Sequence, residues 1–279
     1  MRFQVADELT LFAESVRAAV GDWHAPREPE LGSWQDDRDD DLAVRLAAAG
    51  WAQLWAGDDV LGAVVAGAIE LGRAAAPLSL LDETTLGAPL WVDGRARHAR
   101  DAQSLAVPVR GGGLALGPPS SEPRPEITLD GTGTVRVEVS ALGQLEDPAA
   151  RSCWCAWNAA TLAYLAGLAQ RSLTLAVEHA KSREQFGAPL AALPAIQSRL
   201  ADAALATESL TLVAWAAASS TSGLQHPELR WAGGVCCDVA ATGHQVHGAV
   251  GFALESGVHV HFRRARSVQA WAVAVCEAV

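Results

Sequence analysis

A short segment in the C-terminal half carries residue types that could bind a phosphorylated ligand. Arg183 lies just before a Gly-Ala-Pro break at 187–189, where a guanidinium fork can contact a pyrophosphate at two points, and Phe186 offers an aromatic face beside it. Further along, Gly248 allows the backbone to approach a ligand closely. Side-chain amides that can donate and accept hydrogen bonds lie at Gln197 and Gln245. Together these groups suit a dinucleotide.

Three other features resemble ligand sites without completing one. His244 and His247 are three residues apart, on one face of a predicted helix. His259 and His261 alternate as on an extended segment. No acid or thiol at ligand spacing completes either pair, so we expect surface or interface histidines and no metal site. The glycine run 111–113 lacks the Lys-Ser/Thr of a phosphate loop and predicts a turn.

Composition excludes several classes of protein. Half of the 279 residues are apolar and 19% are charged, which indicates a globular chain and excludes an intrinsically disordered one. The formal net charge of −11 argues against binding to nucleic acid or to an anionic membrane surface. Apolar stretches such as 60–69 fall short of the roughly 20 residues that cross a bilayer, so no transmembrane helix is expected. Acidic residues near the N-terminus argue against a signal peptide and predict a cytoplasmic protein, and the five cysteines form no disulfide framework.

The pattern of apolar residues divides the chain into three parts. We predict an N-terminal helical domain over 1–102, a shortened β domain over 103–148 and a C-terminal four-helix-bundle domain over 149–279, a mostly α fold. The predicted strands cover 104–109, 126–129 and 135–139, and the predicted helices cover 7–20, 42–49, 60–69, 149–181, 194–219 and 227–247.

Two motifs in the C-terminal part resemble the acyl-CoA dehydrogenase family. Residues 173–203 read LTLAVEHAKSREQFGAPLAALPAIQSRLADA and contain the family's Arg-x-x-Phe-Gly turn followed by its Gln and Leu-Ala-Asp helix. Residues 244–266 read HQVHGAVGFALESGVHVHFRRAR and are similar to the family's Gln-x-x-Gly-Gly-x-Gly-Tyr-x-x-Glu segment and the following Arg-Asp-Ala-Arg. Upstream, residues 50–51 and 70–77 are similar to the family's N-terminal helical domain.

The resemblance implies an acyl-CoA dehydrogenase-like fold and an FAD shared between subunits. In the family, the positions matching six residues of this chain contact an FAD that is held mainly by the neighbouring subunit. These implied cofactor-binding residues are Arg183, Gln185, Phe186, Gln197, Gln245 and Gly248.

The chain departs from the family where the chemistry would be performed. Aligning residues 263–266 with the family's Arg-Asp-Ala-Arg places the catalytic Glu-Gly-Thr on Ala272-Val273-Ala274, and a methyl group cannot accept a proton. Some relatives carry the base on the preceding long helix, at a position near Trp157, but no acid occurs from 153 to 173. The β segment is also too short to include the strands that cover the flavin, and Ala249 replaces one of the paired glycines.

Three functions follow from these observations. The first is a subunit that supplies contacts to FAD on a longer, base-bearing partner, as in heteromeric dehydrogenases of steroid side-chain thioesters, which together desaturate an acyl-CoA. The second is a self-sufficient homodimeric dehydrogenase with an unusual base such as Glu255, although the resemblance implies a structural role for that residue. The third is a flavin-free scaffold or an acyl-thioester-binding protein. The sequence leaves the acyl chain, the partner, the electron acceptor and the stoichiometry open.

Overall fold

A computed structural model describes residues 6–21, 23, 40–56, 60–99, 101–126, 128, 133–140, 142–145, 147–185, 187–219 and 226–279. Eight α-helices account for most of these described residues. They are α1 (Asp7–Val20), α2 (Asp40–Ala48), α3 (Val60–Arg73), α4 (Ser79–Leu86), α5 (Asp147–Ser182), α6 (Pro194–Ala218), α7 (His226–His247) and α8 (Val258–Ala278).

The predicted helices are present with small changes at their ends. Helix α1 has the predicted bounds, and Gly50 follows α2 with a positive φ of 91°, which a glycine adopts without strain. Helix α8 was not among the predicted helices. It contains His259 and His261, so the prediction that this pair lies on an extended segment is wrong.

Within the described ranges, nine short strands form two small sheets and a hairpin. The four-stranded sheet has the order β1-β2-β6-β5, the three-stranded sheet has the order β3-β4-β7, and β8 pairs with β9. The strands are β1 (Trp91–Val92), β2 (Arg95–Arg97), β3 (Leu105–Val109), β4 (Gly113–Gly117), β5 (Arg124–Pro125), β6 (Thr134–Arg136), β7 (Gly143–Gln144), β8 (Glu184–Gln185) and β9 (Ala188–Pro189).

The sheet region differs from the prediction at two places. The first hundred residues are not helical throughout, because β1 and β2 form a hairpin whose two turn residues, Asp93 and Gly94, both have positive φ. Asp-Gly is a typical sequence for such a turn. A short strand, β5, ends at Pro125, and the strand predicted at 126–129 falls partly on Ile127 and Leu129, which lie outside the described residues. Strands β3 and β6 lie where strands were predicted at 104–109 and 135–139, although β6 is shorter.

Helix α5 is the centre of the molecule. Between Trp154 and Ala169 every side chain is buried, and α5 contacts α3, α4, α6, α7 and α8. Helix α3 approaches α5 most closely where Gly72 faces Tyr164 and Gly167 faces Ile69, because a Cβ at either glycine would overlap the opposing backbone carbonyl. Helices α5 to α8 pack together in the C-terminal part as the predicted bundle.

Helix α6 is the one described helix with the length and apolar composition of a membrane span. The qualifying window has a mean hydropathy of 1.2, and 28% of it is buried. Core helices of globular proteins also meet this criterion. In this structure Leu210 and Ala214 of α6 pack into the core, whereas Leu205 and Leu212 are exposed.

A buried ion pair connects four elements around α5. The guanidinium of Arg97 on β2 donates to both carboxylate oxygens of Asp82 on α4, with Nε 2.9 Å from Oδ2. The indole of Trp157 on α5 donates to Asp82 Oδ1 at 3.1 Å, and the Leu90 amide donates to Oδ2 at 3.3 Å. The ring of Trp271 on α8 covers the guanidinium, 5.2 Å from Cζ. This carboxylate is therefore fully hydrogen-bonded and shielded from water.

We expect Gly167→Ala to destabilise the protein by about 2–3 kcal/mol, because the added methyl would force α3 and α5 apart. Gly234→Ala on α7 is the matched control, since its Cβ would meet only Gln269 Nε2 at 4.0 Å. Alanine favours the helix there and should be neutral or stabilising by up to about 1 kcal/mol. Equal urea midpoints for the two variants would contradict the close packing of α3 on α5.

We expect Asp82→Asn to cost about 3–5 kcal/mol, because it leaves the buried Arg97 without its counter-charge. The double variant Asp82→Leu with Arg97→Met should lose less than the sum of its single variants. Glu126→Gln serves as the control, because Glu126 pairs with Arg95 on the exposed side of the sheet, where a pair contributes about 1 kcal/mol or less. Additive losses in urea denaturation would show that Asp82 and Arg97 act independently.

Candidate functional site

The Arg183 region is a tight hairpin between α5 and α6. After α5 ends at Ser182, the Arg183 amide donates to the His179 carbonyl and the Arg183 carbonyl accepts from Leu190 N, both at 2.8 Å. Strands β8 and β9 then pair, and Gly187 makes the reversal with a φ of 79°. Pro194 at the first position of α6 helps to start the next helix. The Gly-Ala-Pro break therefore projects the hairpin beyond the end of α5.

The end of α7 lies beside this hairpin. His247 on α7 stacks on His179 on α5, with ring centroids 4.3 Å apart, and His247 Nδ1 lies 2.7 Å from the Gly243 carbonyl oxygen. Beneath them is a small apolar cluster built from α5, α6, α7 and the connection between α5 and α6. Its buried members are Ala176, Ala180, Leu190 and Val246, and Leu193, Ile196 and Leu200 pack against them.

The structure brings the predicted ligand residues to this one end of the bundle. Arg183 and Gln185 are exposed on the hairpin, and Gln245 is exposed on the last turn of α7. Gly248 follows with a φ of 62°, and a Cβ there would meet nothing within 4 Å. Phe186, the sixth predicted residue, lies outside the described residues.

Gln197 has a local partner. It is exposed at the start of α6, and its Nε2 donates to the Ala191 carbonyl at 2.8 Å. This bond closes the turn between β9 and α6. Among the described residues no group donates to the side-chain oxygen of Gln197, so the amide supports the hairpin and can still accept a hydrogen bond.

Arg183 is the charged member of the predicted set, and Lys181 and Glu184 are exposed on either side of it. Burial, the neighbouring His247 and Arg183 all lower the pKa of His179. The imidazole of His179 is therefore neutral at neutral pH. The predicted ligand groups among the described residues are an exposed guanidinium, exposed amides and an open glycine backbone.

Neither of the two positions at which the resemblance implies a base holds an acid. Helix α8 runs without interruption through 272–274, and Ala272 is 1% exposed within the core. Trp157 is equally buried, with its indole bonded to Asp82. Because Asp82 already accepts hydrogen bonds from Arg97, Trp157 and the Leu90 amide, its carboxylate is not available to a substrate. Glu255, in contrast, is exposed in a 3-10 turn at Leu254–Ser256.

The histidines do not assemble a metal centre. Within the described ranges, no group of three His, Cys, Asp or Glu side chains has the geometry to hold a metal ion. His244 is buried on α7 between the rings of Phe252 and Phe262, and burial is the main cause that lowers its pKa. His261 is half-buried on α8, with Nε2 3.1 Å from the Arg73 carbonyl oxygen.

Two interactions near these positions were missed in the sequence. The pairing of Asp82 with Arg97 joins residues 15 apart, and the stacking of His179 on His247 joins two helices. Neither has a signal in local spacing. The one available signal was Trp157. The N–H of a buried tryptophan needs a hydrogen-bond acceptor, and Asp82 is that acceptor here.

Two cavities lie elsewhere in the described part of the molecule. One of about 430 Å³ lies between α1, α3, α5 and the start of α8 and is open to solvent. The other, of about 680 Å³, lies between the four-stranded sheet and α8. Neither is lined by the predicted ligand residues, which face solvent instead.

Comparison with known proteins identifies the C-terminal part. Residues 156–272 match the family model of the acyl-CoA dehydrogenase C-terminal domain. The 3-sulfinopropanoyl-CoA desulfinase of Paraburkholderia xenovorans is 36% identical over 116 residues, which are 39% of this chain and 29% of that protein. The mitochondrial short-chain specific acyl-CoA dehydrogenase of Bos taurus is 39% identical over 107 residues, or 36% of this chain and 26% of that protein. The matched part thus spans less than a third of either relative.

Solved structures match almost the whole chain. A variant of the Tcur3481-Tcur3483 steroid ACAD superposes with a TM-score of 0.78 and 20% identity, covering 99% of this chain and 97% of that one. The ChsE4-ChsE5 complex from Mycobacterium tuberculosis gives a TM-score of 0.74 and 19% identity, covering 100% of this chain and 96% of the other. At these identities the likeness concerns the fold.

The mostly α fold with a reduced β insert and a C-terminal bundle is therefore the predicted one. The resemblance to the acyl-CoA dehydrogenase family is confirmed: residues 156–272 match the model of that family's C-terminal domain, and the described chain has the acyl-CoA dehydrogenase fold.

Proposed function

We propose that this chain is the non-base-bearing subunit of a cytoplasmic, heteromeric flavoenzyme that α,β-desaturates an acyl-CoA thioester. In this assembly it supplies contacts to an FAD that is held mainly by a longer, base-bearing partner. One contrast carries the proposal. The predicted ligand groups face solvent at one end of the bundle, whereas the position of the base is a buried methyl group, Ala272.

The exposed groups fit the pyrophosphate of a dinucleotide. The Arg183 guanidinium offers a fork of donors to phosphate oxygens, and the hairpin holds its backbone through the two bonds to His179 and Leu190. Gly248 leaves open space where a side chain would stand, so a phosphate can approach the backbone. The amides of Gln185 and Gln245 are exposed beside them. A flat, open surface of this kind completes a site whose remaining walls belong to another subunit.

The chemistry requires a carboxylate that this chain does not offer. FAD, when bound, supplies a hydride acceptor for the β-carbon, and a positioned base must remove the proton α to the thioester. In this chain Ala272 cannot take a proton, and Trp157 occupies the alternative position. The buried Asp82 carboxylate accepts hydrogen bonds from Arg97 and Trp157, so it is not available to a substrate. The base therefore comes from the partner.

The structural neighbours support a heteromer with a steroid-type substrate. One is named as a steroid ACAD with two components, Tcur3481 and Tcur3483, and another as the ChsE4-ChsE5 complex. We extend both features to this chain, and infer an acyl-CoA with a steroid-derived acyl group as the substrate class.

One observation favours a second candidate function. Glu255 is exposed and lies seven residues beyond Gly248, next to the glycine segment. A self-sufficient homodimeric dehydrogenase could use this carboxylate as its base. A flavin-free scaffold, the third function, would use neither Arg183 nor Glu255.

We expect the chain alone to purify without flavin, and flavin to appear only on co-expression with a longer, base-bearing relative. In that complex Arg183→Ala should weaken FAD binding by about tenfold or more, because charge-assisted hydrogen bonds to phosphate are lost. Lys181→Ala, in the exposed last turn of α5, should leave FAD binding unchanged. Flavin absorbance of the purified complexes measures the effect. An isolated chain that carries flavin and oxidises acyl-CoA would overturn the proposal.

We expect Glu255→Gln to leave both flavin content and the rate of acyl-CoA oxidation of the complex within about twofold of the parent, since the base lies on the partner. The self-sufficient homodimer requires the opposite result, which is lost turnover with retained flavin. Steady-state oxidation assays with matched flavin content distinguish the two.

A further inference from the structure

The cavity between α1, α3, α5 and the start of α8 has a wall of arginines. Among the described residues, Arg17, Arg73 and Arg171 line it together with the carboxylate of Glu70, and Glu14 also lies near Arg17. Guanidinium groups therefore outnumber carboxylates among the described lining residues, in a chain whose net charge is −11. The larger cavity near the sheet differs, since it is lined by three acids and two arginines.

Glu70 holds two of the guanidinium groups in place without using up their donors. Arg17 donates to both Glu70 oxygens at 2.9 Å, and Arg73 donates to Oε1 at the same distance. Arg73 Nε also donates to Gln170 Oε1 at 2.8 Å. Each guanidinium carries five N–H groups, so both arginines keep donors for another acceptor.

The carboxylate lies beneath the arginines. The Glu70 side chain is 5% exposed, whereas the side chains of Arg17 and Arg73 are 56% and 40% exposed. Arg171 is exposed on α5, and no ion-pair partner for it is found in the described part of the chain. Solvent in the cavity therefore meets guanidinium groups rather than the carboxylate.

His261 forms part of the wall but adds no charge. Burial, only partly offset by the hydrogen bond to the Arg73 carbonyl, and the nearby Arg171 lower its pKa to about 4. The imidazole is neutral at neutral pH, so the arginines alone set the positive charge of the cavity.

The rest of the lining is apolar, and the volume suits a small molecule. About 430 Å³ falls in the range of small-molecule sites, roughly 300–1,000 Å³. The apolar part of the lining is formed by Val20, Trp23, Ala74, Leu175 and Val260.

We propose that this cavity binds an organic phosphate, with the phosphate on Arg17, Arg73 and Arg171 and an apolar or aromatic body against Trp23, Leu175 and Val260. A phosphomonoester carries a charge between about −1.5 and −2 at neutral pH, so it pairs with several guanidinium groups better than a carboxylate with one negative charge does. Guanidinium forks also match the geometry of phosphate oxygens.

The site is separate from the proposed FAD contacts. Arg171 and Arg183 are twelve residues apart on or at the end of α5, about 18 Å along the helix axis. Binding in the cavity is therefore independent of the proposed function, and either proposal can fail without the other.

Isothermal titration calorimetry of the full chain with phenyl phosphate tests this proposal. We expect binding that Arg171→Gln weakens by about tenfold or more, because one guanidinium contact is lost. The matched control is Arg110→Gln, an exposed arginine at the turn between β3 and β4, which should leave the affinity unchanged. Absence of binding, or equal effects of the two variants, would overturn the proposal.

Three further probes separate the parts of the ligand. Inorganic phosphate should bind more weakly than phenyl phosphate, because it lacks the apolar body. Benzyl alcohol should not compete, because it lacks the charge, and phenylacetate should bind more weakly because it carries one negative charge. Equal affinity for inorganic phosphate would refute the apolar subsite. Equal affinity for phenylacetate, or competition by benzyl alcohol, would refute the assignment of a phosphate.

Discussion

The enclosure of α5 by its neighbours is the constraint on which the rest of the structure depends. Over 154–169 this helix has no solvent-facing side, and its residues are mostly apolar on every face rather than on one. The approach of α3 is possible only because Gly72 and Gly167 have no side chains at the crossing. The position of α5 also fixes two functional positions. Arg183 follows its C-terminal end, and Trp157 donates to Asp82 from within the helix.

The burial of charge in this molecule serves structure rather than catalysis. Asp82 and Arg97 are almost inaccessible to water, and the cost of their desolvation is offset by mutual pairing and by the bond from Trp157. A catalytic base needs the reverse situation, a carboxylate with a free oxygen facing the substrate. Burial of this acid against α5 therefore agrees with the buried methyl of Ala272, since neither position offers a carboxylate to a substrate.

The exposed arginines differ from the buried Arg97, because they keep hydrogen-bond donors available to a ligand. Arg183 stands at the end of α5 on a short hairpin, and Arg17, Arg73 and Arg171 surround a cavity nearer the N-terminal helices. Backbone bonds hold Arg183, and the Glu70 carboxylate holds Arg17 and Arg73, so that each keeps donors available. These positive groups stand out because the chain is acidic overall, so they cannot arise from a general excess of basic residues.

The amino-acid sequence by itself determined most helices, the strands near 105 and 135, and the group of ligand residues around Arg183, because helical periodicity, turn residues and motif spacing are local properties. It did not reveal the β1-β2 hairpin, although Asp93-Gly94 was a signal for it, and it assigned His259 and His261 to the wrong element because two alternating residues are too few to define a period. The tertiary structure alone shows that Asp82 is buried and fully hydrogen-bonded, that Arg17, Arg73 and Arg171 line one cavity, and that Gly72 and Gly167 contact another helix. Those outcomes depend on contacts between residues far apart in the chain, such as Arg17 with Glu70 and Asp82 with Trp157, and the free energy of such contacts is set by burial, which no local pattern encodes.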